Sequence, residues 1–175
     1  MSDSVVIAAV PEQVYRCVSD PTQFGRWSEE NVGATVLGDW TGGARVGLQF
    51  DGHNKWNPKL RGRWFPIRRW TTRCEVIAAD EPRHFAFRAW LPVLGDRGRP
   101  RLKVPLAVWD YRLESVSDGT RVTETWTAEM SARLIRFSRP MTPYLLADGV
   151  SVETFQARNI AWMLASLKQD LETAS

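Results

Sequence analysis

The spacing of apolar residues along the chain changes period twice. Ser4 to Ala9 is a short β-rich run. Pro11-Glu12 then opens a helix with Val14, Tyr15 and Val18 on one side. Asp20-Pro21 ends that helix, because the residue before proline is pushed out of the α region. Thr22 to Trp27 reads as one more short helical turn. From Val32 the period becomes two. Ala34 to Leu37 is a strand, Gly42-Gly43 a turn, and Arg45 to Asn54 a strand in which Val46, Leu48 and Phe50 alternate. Arg69 to Ala78 has one face of Trp70, Thr72, Cys74 and Val76. His84 to Trp90 carries Phe85 and Phe87 on one face. Leu106 to Val116 alternates Trp109, Tyr111 and Leu113 against Asp110, Arg112 and Glu114. After the hairpin signal Ser117-Asp118-Gly119, Thr120 to Ala128 pairs back with Thr120, Val122, Glu124 and Trp126 on one face. Lys55 to Pro66, with two prolines, and Leu94 to Arg101 read as loops.

The period then returns to that of a helix. Met130 to Phe137 bridges, and Thr142-Pro143 supplies an N-cap with proline in the first turn. Leu145, Val152, Phe155, Ile160, Met163, Leu164, Leu167 and Leu171 follow at helical spacing, with no further proline. Such a helix runs roughly 45 Å and has to lie across the strands before it. The prediction is an α+β domain spanning residues 1–175, in which about seven antiparallel strands curl around one long C-terminal helix. Two short helices follow the first strand, and a space is left between sheet and helix.

A chain of 175 residues is long enough to bury about 70% of its unfolded surface. Nine tryptophans suit a wide core or cavity. The formal charge of +3 is too small to argue for nucleic acid, but its distribution is uneven. Lys55, Lys59, Arg61, Arg63, Arg68, Arg69 and Arg73 form a run without an acidic residue, and Arg97, Arg99, Arg101 and Lys103 form a second. Three readings of the first run stand: a solvated loop over the cavity mouth, a dock for an acidic partner such as an acyl carrier protein or anionic lipid surface, and nucleic acid. No nucleic-acid module supports the last, and none is expected. Cys17 and Cys74 have no zinc spacing, and no stretch is long and apolar enough for a signal peptide or membrane span. The expectation is a cytoplasmic protein, monomer or homodimer, with reduced thiols.

Segments along most of the chain resemble one superfamily. Ile7-Ala8-Ala9-Val10-Pro11-Glu12-Gln13-Val14-Tyr15 looks like its first strand entering its first helix, and Ser19-Asp20-Pro21 with Trp27-Ser28-Glu29 like its second-helix signature. Phe50-Asp51-Gly52-His53-Asn54 and Trp70-Thr71-Thr72-Arg73-Cys74-Glu75-Val76 resemble its middle strands. Trp109-Asp110-Tyr111-Arg112-Leu113 with Asp118-Gly119-Thr120-Arg121-Val122-Thr123-Glu124 resembles its last hairpin. The chain is thus similar to the SRPBCC, or START-like, superfamily, which includes bacterial polyketide cyclase/dehydrases. The resemblance implies a helix-grip fold with a deep, largely apolar cavity under the last helix. It does not imply one chemistry.

His53 and His84 lie on separate predicted strands, and the chain has no GxSxG, P-loop or GxGxxG. No metal site and no cofactor are expected. Glu124 shares the helix-facing side of its strand with Val122 and Trp126. A carboxyl there is desolvated, which raises its pKa and suits general acid/base work in enolisation or dehydration. The alternative is a buried glutamate neutralised by an arginine or bonded to Tyr111 or Asn54. Tyr111 either holds a substrate carbonyl or is a core ring with a bonded hydroxyl. Asn54 and Thr72 can point polar atoms inward or bond a bulge near Gly52. Phe50, Trp70, Phe85, Phe87, Trp109 and Trp126 are the aromatic wall candidates, and Phe155, Gln156, Asn159 and Met163 the helix-borne ones. With the resemblance, these residues predict a site for a hydrophobic small molecule, polyketide-like, aromatic or lipid. The protein is then either a cofactor-independent cyclase/dehydratase using Glu124 and Tyr111 or a non-catalytic carrier or sensor.

Overall fold

The computed structural model describes residues 1–56, 59–60, 63–64, 68–96, 99–130 and 152–173. Among the described residues, nine strands, two α-helices and a 3₁₀ helix follow one another as β1 (Ser2–Ile7), α1 (Pro11–Val18), the 3₁₀ helix (Pro21–Arg26), β2 (Asn31–Val36), β3 (Gln49–Trp56), β4 (Lys59–Leu60), β5 (Arg63–Trp64), β6 (Arg68–Asp80), β7 (His84–Asp96), β8 (Arg99–Val116), β9 (Gly119–Ala128) and α2 (Val152–Thr173). Seven strands form one antiparallel sheet in the order β1-β9-β8-β7-β6-β3-β2. This curled sheet with its C-terminal helix is the predicted helix-grip α+β fold.

The local rules that predicted the N-terminal elements hold in the fold. Pro11 sits in the first turn of α1, and Val14, Tyr15 and Val18 are its buried side. The Asp20 carboxylate accepts from Thr22 N at 3.0 Å and caps the 3₁₀ helix. The Gly119 hairpin is present too, with Val116 paired to Gly119 and a φ of +128° that favours glycine.

Three expectations are corrected. Lys55 to Pro66 is not a loop throughout. β3 and β6 stay paired out to Lys55↔Arg69 and Trp56↔Arg68, and Lys59-Leu60 pairs with Arg63-Trp64 as a small hairpin. Backbone pairing takes up the described residues of the segment, while both prolines, Pro58 and Pro66, lie outside them. Leu94 to Arg101 is likewise largely strand: β7 and β8 pair to Gly95↔Pro100 and Asp96↔Arg99, so glycine and proline did not end the ladder. Conversely, Arg45 to Leu48 is not strand. Gly47, at φ +83°, turns the chain, and Val46 is left 65% exposed. Thr142 to Ser151, the predicted start of the last helix, and all but Met130 of the Met130–Phe137 bridge lie outside the described residues.

α2 is about 33 Å long by its 22 residues. Ile160, Met163, Leu164, Leu167 and Leu171 form its buried side, as their spacing predicts. Its C-terminal half is tied down on two sides. Lys168 Nζ donates to Val6 O at 2.7 Å and Ala8 N to Glu172 Oε1 at 2.9 Å, both on the β1 side. Trp27 Nε1 and Arg26 Nη2 donate to Asp170 from the 3₁₀ side. No helix among the described residues is long and apolar enough to cross a membrane.

Leu167 is fully buried, so Leu167→Ala should cost about 2–5 kcal/mol in urea denaturation through lost transfer energy and the cavity left behind. Trp162, 53% exposed on the same helix, should change stability by no more than about 0.5 kcal/mol when replaced by alanine. Equal effects of the two would mean that α2 is not packed as described.

Candidate functional site

The layer between sheet and helix is filled at one end and open at the other. At the filled end Ile7, Val14, Val18, Val76, Phe85, Leu113, Val122 and Leu167 pack as core. Two to six residues further along the strands, several inner positions become smaller or polar. β3 continues with Gly52 and Asn54, β6 with Cys74 and Thr72, β7 with Ala89, β8 with Ala107, and β9 with Glu124. These short side chains leave a cavity of about 210 Å³. Phe50, Trp70, Phe87, Trp109 and Trp126 wall it from the sheet, Gln156, Asn159, Ile160 and Met163 from α2, and Phe24 of the 3₁₀ helix, Ser28 and Glu30 after it, and Asn31 at the start of β2 from the remaining side.

The aromatic wall is a continuous set of ring contacts. Phe87 stacks on Trp109 at 5.4 Å and 6° between planes, and Phe24 stacks on Phe87 at 5.5 Å. Phe50 meets Phe87 edge-on at 5.4 Å, and Trp126 meets Trp109 edge-on at 6.5 Å. Of the predicted wall, Phe85 and Phe155 are buried but do not line the cavity. Phe85 instead packs behind it, 6.0 Å from Phe87 and 6.2 Å from Tyr111. The other ligand-binding candidates, Phe50, Asn54, Trp70, Thr72, Phe87, Trp109, Trp126, Gln156, Asn159 and Met163, all line it.

Glu124 and Tyr111 are register partners across β8 and β9, so their side chains share a face. The Tyr111 hydroxyl donates to Glu124 Oε1 at 3.0 Å, and both residues are buried. Glu124 Oε2 has no hydrogen-bond partner among the described residues, and neither does the neighbouring indole nitrogen, Trp126 Nε1. Burial pushes the Glu124 carboxyl up to about 8. The Tyr111 hydrogen bond pulls it back, and the charge of Asp3 across the β1–β9 pair adds to the rise. Burial, then the charge and hydrogen bond of Glu124, hold Tyr111 well above the ordinary phenol range.

Asn54 and Thr72 are largely satisfied by their surroundings. Asn54 Nδ2 donates to Gly52 O at 3.3 Å and to Thr72 Oγ1 at 3.4 Å, and Thr72 Oγ1 donates to Gly52 O at 3.4 Å. A Cβ at Gly52 would sit 2.9 Å from Thr72 Oγ1, so glycine is what admits that hydroxyl. The β3–β6 pairing is regular there; the irregularity lies in β2, between Asn31 and Ala34.

Glu30 is the site residue that alternation missed, because it precedes β2 in a stretch with no period. Its placement comes from side-chain and long-range bonds. Ser28 Oγ accepts from Glu30 N at 3.2 Å and from Asn31 N at 2.9 Å, and Lys55 N donates to Glu30 O at 2.8 Å. Asn159 Nδ2 reaches across from α2 to donate to Glu30 Oε2 at 2.8 Å. The residue is half-buried, but its carboxyl end is turned inward. Burial raises it to about 7 against the opposing effect of the Asn159 hydrogen bond.

The histidines lie away from the cavity. His53 Nε2 is 2.8 Å from Thr35 Oγ1, and His84 Nε2 is 2.7 Å from Asp110 Oδ2. Among the described residues no three His, Cys, Asp or Glu side chains gather as metal ligands. Cys74 lines the cavity as a buried thiol pushed up to about 12. In the basic run, Arg73 is paired with Asp51 at 2.5 Å, and the side chains from Trp56 to Arg68 lie outside the described residues.

A family model described as polyketide cyclase / dehydrase and lipid transport matches residues 1–172. Solved structures share the fold. Protein Ms6760 from Mycobacterium smegmatis is 18% identical with a TM-score of 0.60, covering 99% of this chain and 91% of its own. The Polyketide_cyc-like protein Cgl2372 from Corynebacterium glutamicum is 29% identical with a TM-score of 0.53, at the same coverage of 99% and 91%. The di-domain ARO/CYC StfQ from the steffimycin biosynthetic pathway is 12% identical with a TM-score of 0.64; the match covers 99% of this chain and 50% of that one. No curated protein matches the sequence.

In the unfolded chain Glu30 and Glu124 ionise near 4.5, whereas folded they keep their protons to about 7 and about 8. Between those values the folded state binds more protons than the unfolded one, so both groups lower stability as pH rises from about 4.5 to 8. Thermal unfolding across that range should show a falling Tm, and Glu124→Gln should flatten the fall. A slope identical in the variant would place the Glu124 carboxyl in water.

Proposed function

Because the chain belongs to the polyketide cyclase / dehydrase and lipid transport family, we propose that it binds an apolar small molecule in the cavity under α2 and acts on it by proton transfer, as a cofactor-independent cyclase or dehydratase. One observation carries this reading: a carboxyl oxygen, Glu124 Oε2, is buried against an aromatic-walled cavity with no partner among the described residues. Leaving such a group unsatisfied costs about 1–3 kcal/mol, which a ligand would offset.

The chemistry follows from protonation state. A carboxyl that titrates near 8 is mostly neutral at pH 7 and therefore donates a proton before it accepts one. Oε1 accepts from Tyr111, so the acid proton belongs on Oε2, the oxygen left for the ligand. Tyr111 is a hydrogen-bonding partner that holds the carboxyl in place and stabilises its ionised form after the proton is given up. The aromatic walls supply burial and orientation, which hold a folded substrate in a reactive geometry. The family also covers lipid transport, and a carrier would use the same cavity without turnover.

Trp70, Trp109 and Trp126 line the cavity, so an apolar aromatic ligand should quench tryptophan fluorescence. Ala107→Leu, which fills the floor, should weaken that quenching at least tenfold. Glu124→Gln should leave binding near wild type while lowering turnover by about 10²–10⁴. Turnover unchanged in Glu124→Gln would remove the acid/base role and leave the carrier; quenching unchanged in Ala107→Leu would remove the cavity as the binding site.

A further inference from the structure

A neutral Glu124 donates a proton, yet forming a carbon–carbon bond or losing water beside a carbonyl also requires a base. Glu30 supplies a second carboxyl to the same cavity from the opposite side. Glu124 stands on β9, next to one edge strand of the sheet, and Glu30 immediately precedes β2, the other edge strand. Its main chain is held by Ser28 and Lys55, and Asn159 ties one carboxylate oxygen. The other oxygen has no such partner among the described residues.

The two orphaned atoms on β9 restrict what the ligand presents. Trp126 Nε1 can only donate, and neutral Glu124 donates from Oε2. The residues are two apart on one face of the strand, about 7 Å along it, and both line the cavity, so their donors serve the same space. No lysine, arginine or histidine lines the cavity among the described residues, and two carboxyls do. That set disfavours a carboxylate or phosphate as the acceptor and an ammonium as the partner of the donors, which leaves a neutral oxygen.

We propose that the ligand is a neutral, apolar compound with an enolisable ketone, that its oxygen is held by Glu124 Oε2 and Trp126 Nε1, and that Glu30 is the catalytic base that removes the adjacent proton. In this step Glu30 takes the proton of the α C–H bond, and that electron pair becomes the C=C bond of an enol. The carbonyl π pair takes the proton from Glu124 Oε2, leaving Glu124 ionised and hydrogen-bonded to Tyr111. The sum is a keto–enol isomerisation with no oxidant or reductant. The inference rests on the cavity being a site for an apolar ligand.

The test uses 1-tetralone, a small apolar ketone, in D₂O, with exchange of its α-methylene hydrogens followed by ¹H NMR and its binding by tryptophan quenching. The wild-type protein should accelerate exchange by about 10²-fold over buffer. Glu30→Gln should lose at least about tenfold of that acceleration at unchanged affinity, and Glu30→Asp, which keeps the carboxylate, should recover part of it. Exchange in Glu30→Gln equal to wild type overturns the role of Glu30. Binding without acceleration by the wild type overturns the enolisation while leaving the cavity as a ligand site. No binding of the ketone overturns both.

Discussion

One helix cannot cover seven strands. A helix with its side chains is about 10–12 Å across, whereas seven strands at about 4.8 Å spacing make a sheet of roughly 30 Å. The sheet meets this mismatch by curling, and the volume it encloses must then be filled by side chains or left open. Here both happen, in different places. Where Ile7, Phe85, Leu113, Val122 and Leu167 point inward the layer closes. Where Gly52, Cys74, Ala89 and Ala107 take the equivalent positions it does not. The cavity is therefore a property of side-chain size along otherwise continuous strands, not of a break in the sheet.

The same constraint sets the electrostatics. A carboxyl placed in the closed end would meet only hydrocarbon; placed at the open end it meets rings and empty volume, with one hydroxyl in reach. Tyr111 satisfies one oxygen of Glu124 and leaves the second, and Trp126 is left with its own donor unanswered. A leucine at position 124 would suit the fold better than a glutamate does, since an apolar side chain of similar size carries no desolvation penalty. A polar pair kept against the interest of packing is a departure from what the fold requires, and such departures mark sites of use.

The sequence was most informative where a single period runs long. Alternation on β6, β8 and β9 placed Thr72, Tyr111, Glu124 and Trp126 on the inner face, and the helical spacing of Ile160, Met163, Leu164 and Leu167 placed the inner stripe of α2. It misled where proline and glycine suggested loops: Gly95 and Pro100 pair with each other in the β7–β8 ladder, and Lys59-Leu60 pairs with Arg63-Trp64 inside the other segment. The reverse error came at Val46, whose alternation with Leu48 and Phe50 was accidental to a turn at Gly47. Inner-face alternation also does not say how far along a strand the open space begins. Phe85 and Phe87 share a face, yet only Phe87 reaches the cavity. Glu30 was illegible for a different reason: its position depends on Ser28, Lys55 and Asn159, and only the folded chain assembles that set.

That dependence makes α2 more than a cover. Its C-terminal half is fixed to β1 through Lys168 and Glu172 and to the 3₁₀ helix through Asp170. Its Asn159 extends the same rigid element to Glu30, while Met163 and Ile160 line the cavity from the helix side. The helix thus transmits the position of the anchored end to a carboxyl that no local sequence rule would place. The fold is shared among proteins of low identity, so it selects no chemistry by itself. The proposed chemistry rests instead on two contacts and one unanswered donor that the fold permits and does not require: Tyr111 on Glu124, Asn159 on Glu30, and the indole nitrogen of Trp126.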